Sequence, residues 1–179
     1  VKSAANTFAA LGAHLEEVDT GFGDQHDLFK TFWYTGAARL QKTMTPDELD
    51  QLDPGFRDVG REGSEINLNQ YLDAVSEREL AGTKLNTFFD NYDLLLTPTL
   101  PITAFDAGTE VPTGSGMDRW TRWTPFSYPF NLGRHPAASI PCGLCSNGLP
   151  AGLQIVGPMN CDGQVLAASA AYEATNPIR

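Results

Sequence analysis

The small number of strand-like segments is the feature that most constrains the fold of this chain. Two short apolar segments, 137–141 and 151–156, flank the turn sequence Ser146-Asn147-Gly148, a pattern typical of a β-hairpin. The apolar triplet 94–96 predicts a buried strand, which Thr97-Pro98 should end. Because so few strands make a poor layer alone, we expect them to lie beside strands that this chain does not supply, with open edges and apolar surface.

Helices dominate the rest of the prediction. Residues 3–11 show a helical apolar face that Gly12 should end, and Ala13 to Val18 alternates as a short strand would. This helix–glycine–strand step is typical of a layered α/β fold. Further helices are predicted at 26–42, after the capping box Thr45-Pro46-Asp47-Glu48, at 68–91 after Asn67, from the Thr124-Pro125 N-terminus, and from Asp162 to about 174. Residues 101–118 form a Pro-, Gly- and Thr-rich loop whose length indicates a functional or packed surface loop.

Composition and charge exclude several classes of function. The 179 residues carry a net charge of −10, which argues against a nucleic-acid partner, and no apolar run approaches the ~20 residues of a membrane span. Three cysteines (142, 145 and 161) fit reduced thiols of a cytoplasmic protein, and ordinary packing is favoured over a zinc or redox site. The first residues, Val1-Lys2-Ser3, already have the character of a helix interior, which predicts a piece of a longer protein without a signal peptide.

Charge is also unevenly distributed along the chain. Residues 1–96 hold 17 acidic and 8 basic residues, whereas residues 97–179 hold 5 acidic and 4 basic ones. The first part is therefore expected to be a solvated, mainly helical shell. The second part is poor in charge for a free surface, which predicts that it is buried in a larger body.

Several segments with fixed spacing identify a family resemblance. These are Tyr92-Asp-Leu-Leu-Leu-Thr-Pro-Thr99, Trp123-Thr-Pro-Phe-Ser-Tyr-Pro-Phe-Asn-Leu132, Pro136-Ala-Ala-Ser-Ile-Pro-Cys-Gly143 and Gly148-Leu-Pro-Ala-Gly-Leu-Gln-Ile-Val-Gly-Pro158. Their order resembles the C-terminal part of the amidase signature family of serine hydrolases. The resemblance implies one segment, 1–179, of an α/β/α layered domain with a mixed sheet, in which 1–91 is the helical shell and 92–179 supplies the sheet core and pocket side.

The resemblance also implies what this chain lacks. The family's catalytic Lys, cis-Ser and nucleophilic Ser lie upstream of the matched part, so no catalytic residue, metal or cofactor is assigned here. Gly114-Ser115-Gly116 has neither the spacing nor the strand-to-helix context of a nucleophile elbow and is predicted to be loop.

The predicted substrate-binding residues lie around the helix expected from residue 124. They are Trp120, Thr124, Phe126, Tyr128 and Asn131, which would place a few polar groups among aromatic side chains. The alternative is that the aromatic residues are core and that Asn131 only satisfies a turn. In the glutamine-dependent glutamyl-tRNA amidotransferases of this family, an acidic residue that recognises glutamine aligns with Thr124, so the resemblance implies an apolar or aryl amide here. The chain departs from the family pattern at Gly133-Arg134-His135, where relatives have small residues and Gln.

The leading hypothesis is therefore the C-terminal segment of an amidase that cleaves a neutral, apolar or aryl carboxamide to acid and ammonia or amine through an acyl-serine. The predicted partners are an N-terminal segment of the same amidase, the small-molecule amide and a second copy of the chain, without nucleic acid or membrane. The chain alone should be inactive. Three alternatives stay open: a non-catalytic binding or assembly module, a component like the amidase subunit of a glutamine amidotransferase, and a thiol–metal site.

Overall fold

The computed structural model describes residues 1–175 as two compact units, one formed by Val1–Gly23 with the residues from Ala81 onward and the other by Asp24–Leu80. The elements in chain order are α1 (Lys2–Ala10), α2 (His26–Gln41), α3 (Pro46–Asp50), α4 (Pro54–Ser64), α5 (Leu68–Phe89), β1 (Leu95–Pro98), a 3₁₀ helix (Trp120–Trp123), α6 (Tyr128–Gly133), β2 (Ala137–Leu144), β3 (Pro150–Val156) and α7 (Asp162–Thr175). None of these helices is long and apolar enough to cross a lipid bilayer.

The first unit is built on a three-stranded sheet in the order β1-β3-β2, with both pairs antiparallel. The predicted hairpin is confirmed: β2 and β3 pair over most of their length, and Leu144 lies opposite Pro150 next to the turn. Among the described residues, β1 and β2 each pair with a strand on one side only.

One face of the sheet is apolar and is covered by α1 and α7. Ile140, Leu153 and Ile155 point to this face and pack against Phe8 of α1 and Tyr172 of α7. The Phe8 and Tyr172 rings stack with their centroids 5.6 Å apart. Each of these five side chains is 7% exposed or less, so this layer provides most of the unit's hydrophobic stabilisation.

The opposite face changes from apolar to polar along the strands. Leu95 and Val156 are paired in register and pack with Leu85 and Phe130. Two residues further along β1, Thr97 pairs with Gln154, which in turn pairs with Ser139 of β2. Because side chains alternate between faces along a strand, these residues share one face. They form a polar row of two hydroxyls and one amide across the three strands.

The second unit is a helical packing of α2 and α4 with α3 and the start of α5. Its core contains Tyr34, Ala37 and Val59. The two helices approach closely at glycine, since a Cβ on Gly63 would overlap the carbonyl group of Tyr34. The capping box predicted at Thr45 is confirmed, with its side chain accepting from the Glu48 N–H and the Glu48 carboxylate accepting from the Thr45 N–H.

Two predicted elements are wrong. Residues 13–18 form no strand, and Leu15 and Val18 lie exposed without a partner strand, so alternation alone did not produce an extended ladder. The helix expected from Thr124 begins instead at Tyr128. Thr124 follows the 3₁₀ helix, and its hydroxyl donates back to the Thr121 carbonyl rather than capping a new helix.

Candidate functional site

An open groove of about 730 Å³ lies at the ends of the strands in the first unit. Its wall is the segment that follows β1 together with the facing ends of β2 and β3. The lining residues are Val1, residues 98–105, Trp123, residues 139–141, Cys145 and residues 150–152. The groove is in the size range of small-molecule sites, and no Asp, Glu, Lys, Arg or His of the described chain lines it.

An aromatic corner forms one end of this groove. The Trp123 indole meets Phe105 edge to face at a centroid distance of 5.7 Å, and Trp120 lies on its other side at 6.4 Å. The indole Nε1–H donates to the Glu110 carbonyl over 3.0 Å, so the polar atom of this ring is already satisfied. The ring therefore offers the groove an apolar surface whose orientation is fixed.

Glu110 holds the long loop against this corner. Its carboxylate accepts a hydrogen bond from the Trp120 backbone N–H at 3.1 Å and pairs with the Arg119 guanidinium at 3.4 Å. With the Trp123 contact to its carbonyl, one residue of the loop anchors three positions around the 3₁₀ helix. No periodic or spacing signal in the sequence marks Glu110 for this role, because its partners lie 9 to 13 residues away in a turn.

Gln154 connects the sheet to the segment that carries the predicted site. Its side-chain Nε2 donates to the Thr97 hydroxyl at 2.8 Å and to the Phe126 carbonyl at 2.9 Å. Gln154 is 6% exposed, so both bonds are made away from bulk solvent. Buried amide hydrogen bonds of this kind fix the position of the backbone they contact.

The structure does not bring the predicted site residues into one pocket wall. Trp120 contacts the groove's aromatic corner through Trp123, and Phe126 contacts Gln154 through its carbonyl. Tyr128 is 1% exposed, whereas Asn131 on the same helix is exposed and donates its amide to the Ser127 carbonyl. With Thr124 outside the helix, the expected shared face of 124, 128 and 131 does not form. Their assignment to a substrate site stays a prediction.

The segment Gly133-Arg134-His135 makes a tight turn into β2. Arg134 adopts a left-handed conformation (φ 60°), and His135 is buried with its ring stacked on Phe89 at 5.3 Å. Neither ring nitrogen of His135 has a hydrogen-bond partner of acceptable geometry. Burial lowers the pKa of His135, and the Gly133 backbone opposes that shift only in part.

The cysteines show no metal-binding arrangement in the described residues. Cys142, Cys145 and Cys161 are free thiols, and no group of three or more His, Cys, Asp or Glu side chains within residues 1–175 is arranged to hold a metal ion.

Comparison with known proteins defines the class. The Amidase family model matches residues 12–166, so the chain belongs to the amidase family, and the predicted resemblance is confirmed. The chain is 42% identical over 105 residues to the amidase-family component of glutamyl-tRNA(Gln) amidotransferase from Brevibacillus brevis, an alignment covering 59% of this chain and 21% of that protein. It is 26% identical over 176 residues to an acylamidase from Rhodococcus erythropolis, covering 95% of this chain and 37% of the relative.

The solved structures agree with the fold. A bacterial aryl acylamidase of the amidase signature enzymes superposes with a TM-score of 0.80 at 30% identity, covering 98% of this chain and 39% of that one. The predicted α/β class is thereby confirmed. The chain spans about a fifth to two fifths of the length of the relatives it matches.

Proposed function

We propose that this chain is the substrate-side part of an amidase that hydrolyses neutral, apolar or aryl carboxamides. In this proposal an amino-terminal segment supplies the Lys, Ser and Ser that form and hydrolyse an acyl-serine intermediate. The observation that carries the choice of substrate is the groove, whose lining has aromatic and aliphatic side chains and no acidic or basic one.

The absence of charged side chains along the described groove lining favours a neutral ligand for a simple energetic reason. A charged group that leaves water without an oppositely charged partner costs several kcal/mol, whereas an aryl or alkyl group gains about 25 cal/mol for each Å² it buries. The Trp123 and Phe105 rings present a surface on which an aryl group can pack edge to face or offset. An anilide or aryl carboxamide has the matching chemistry.

A second candidate is a role like that of the amidase component of a glutamine amidotransferase. It is supported by the 42% identity to the Brevibacillus brevis protein. Free glutamine carries an α-ammonium and an α-carboxylate, and both need polar or charged partners in a binding site. The described groove offers hydroxyls but no ionic side chain, so its chemistry favours the first candidate.

The two candidates differ in what the chain should bind. We expect 4-nitroacetanilide to bind the purified chain and to quench tryptophan emission by energy transfer, because Trp123 lines the groove. L-Glutamine, measured by competition, should displace it only weakly. Binding of glutamine in preference to the anilide would favour the amidotransferase candidate and contradict the proposed substrate.

The proposal also includes association with a further segment or a second copy of the chain. It is supported by the edge strands β1 and β2, which pair on one side only within the described residues. We expect analytical ultracentrifugation of the isolated chain to show self-association and a hydrophobic dye to bind it. A sharp monomer that binds no dye would contradict this part of the proposal.

A further inference from the structure

Two hydroxyl groups lie at the polar end of the otherwise apolar groove. Thr99 Oγ1 and Ser139 Oγ are 2.7 Å apart, and both residues line the groove. They come from positions 40 residues apart in sequence, one just after β1 and the other within β2. This contact is therefore a product of the fold rather than of a local turn.

Gly152 on the central strand makes room for this pair. The Thr99 N–H donates to the Gly152 carbonyl, which continues the β1–β3 ladder by one residue. A Cβ on Gly152 would lie 2.7 Å from Thr99 Oγ1 and 3.1 Å from Ser139 Oγ. Any other residue would therefore push into the space that the two hydroxyls share, and the missing side chain keeps them open to the groove.

The hydrogen-bonding capacity of the pair is not exhausted by their mutual contact. Each hydroxyl has one proton and two lone pairs, and only one proton is used between them. The pair therefore retains one donor and several acceptor positions. A carboxamide presents a carbonyl acceptor and an N–H donor, which matches this remaining capacity, whereas a carboxylate presents acceptors only and brings a charge.

We propose that Thr99 and Ser139 form the polar contact that holds the carboxamide of a ligand whose apolar part lies along the groove. This inference rests on the proposed function and makes it more specific, because it assigns the contact that separates amide from acid. It also has a consequence for turnover. The carboxylate product would be bound more weakly than the amide, since no positive side chain of the described groove compensates its charge.

The test measures binding and needs no hydrolysis. It uses quenching of tryptophan emission by 4-nitroacetanilide in a Trp33→Phe background, because Trp33 lies in the other unit and would add unrelated signal. Thr99→Val replaces the hydroxyl by a methyl group of similar size, and Ser139→Ala removes the partner hydroxyl. Each is expected to raise Kd roughly 2- to 13-fold, the loss of one net hydrogen bond.

Thr109→Val is the matched control. Thr109 lies in the same long loop but does not line the groove, and its hydroxyl donates to the Asp106 carbonyl. Its Kd should equal that of the unsubstituted chain. Benzamide and benzoate, which have nearly the same shape, are compared as competitors, and benzamide should compete at least about tenfold better, the effect of roughly 1.4 kcal/mol.

The outcomes separate this inference from the proposed function. If the anilide binds and both hydroxyl variants keep the unsubstituted Kd, or if benzoate competes as well as benzamide, the hydroxyl contact is refuted while the preference for neutral amides stands. If the unsubstituted chain prefers glutamine, the proposed function fails first. Circular dichroism of each variant establishes that it folds, and Ser139→Ala, which only removes an oxygen from its strand, provides the reading if Thr99→Val does not fold.

Discussion

Replacing Gln154 by leucine should loosen the contact between the sheet and the segment around Phe126. The side chain makes two buried hydrogen bonds, to the Thr97 hydroxyl and to the Phe126 carbonyl. Loss of the donor to a carbonyl costs about 1–3 kcal/mol when the group stays away from water. The Thr97 hydroxyl keeps its own bond to the Pro98 carbonyl, so its loss is nearer to roughly 0.5–1.5 kcal/mol.

The expected decrease in the free energy of unfolding is therefore roughly 2–4 kcal/mol. With a urea m-value of about 2 kcal/mol/M, the midpoint should fall by about 1–2 M. The comparison variant is Thr97→Val, which leaves the Gln154 bond to Phe126 intact and should cost only about 0.5–1.5 kcal/mol. Equal losses in the two variants, or a smaller loss in Gln154→Leu, would refute the reasoning that the Phe126 bond carries the larger share.

Two further predictions concern stability. His135→Leu should flatten the loss of stability as pH falls below about 6.5: burial lowers the pKa of native His135, so in that range the unfolded chain binds the proton more readily and acid destabilises the native chain, whereas exposed His14→Gln should leave the slope of unfolding free energy against pH unchanged. Gly63→Ala should destabilise the helical unit by at least about 2 kcal/mol in urea denaturation because its Cβ overlaps the Tyr34 carbonyl, while Gly36→Ala, with open space around it, should be neutral or stabilising; similar effects of the two alanines would contradict the close helix contact.

Local signals in the sequence predicted the elements that local interactions determine. The capping box at Thr45 and the hairpin around Asn147 are confirmed because turn and cap geometry depend on a few neighbouring residues. Gly12 is confirmed as the end of α1: it has φ 98°, and the N–H groups of Gly12 and Ala13 donate to the carbonyls of Ala9 and Phe8.

The errors arise where a local pattern had competing uses. Alternation at 13–18 requires a partner strand, and none of the described strands pairs with it. Thr124-Pro125 has the residues of a helix N-terminus, but the preceding 3₁₀ helix captures the Thr124 hydroxyl, and the helix begins only at Tyr128. The predicted site was consequently placed on one helical face that does not exist.

The groove depends on contacts that local patterns do not specify. Its polar end joins Thr99 to Ser139, and its aromatic corner depends on Glu110 reaching Trp123. These contacts are set by strand order and by the course of a long loop, which residue spacing does not encode. The sequence did indicate that residues 101–118 form a functional or packed loop, and the structure places residues 101–105 of it in the groove wall.

The most direct test of the proposed activity is hydrolysis by a fused enzyme. This chain would replace its counterpart in the Rhodococcus erythropolis acylamidase, whose matching part aligns with 95% of it. Release of aniline from acetanilide by the folded fusion, with no release by the 179-residue chain alone and little ammonia from glutamine, is the predicted result. A folded fusion that cleaves glutamine but not acetanilide, or aniline release by the isolated chain, would contradict the account.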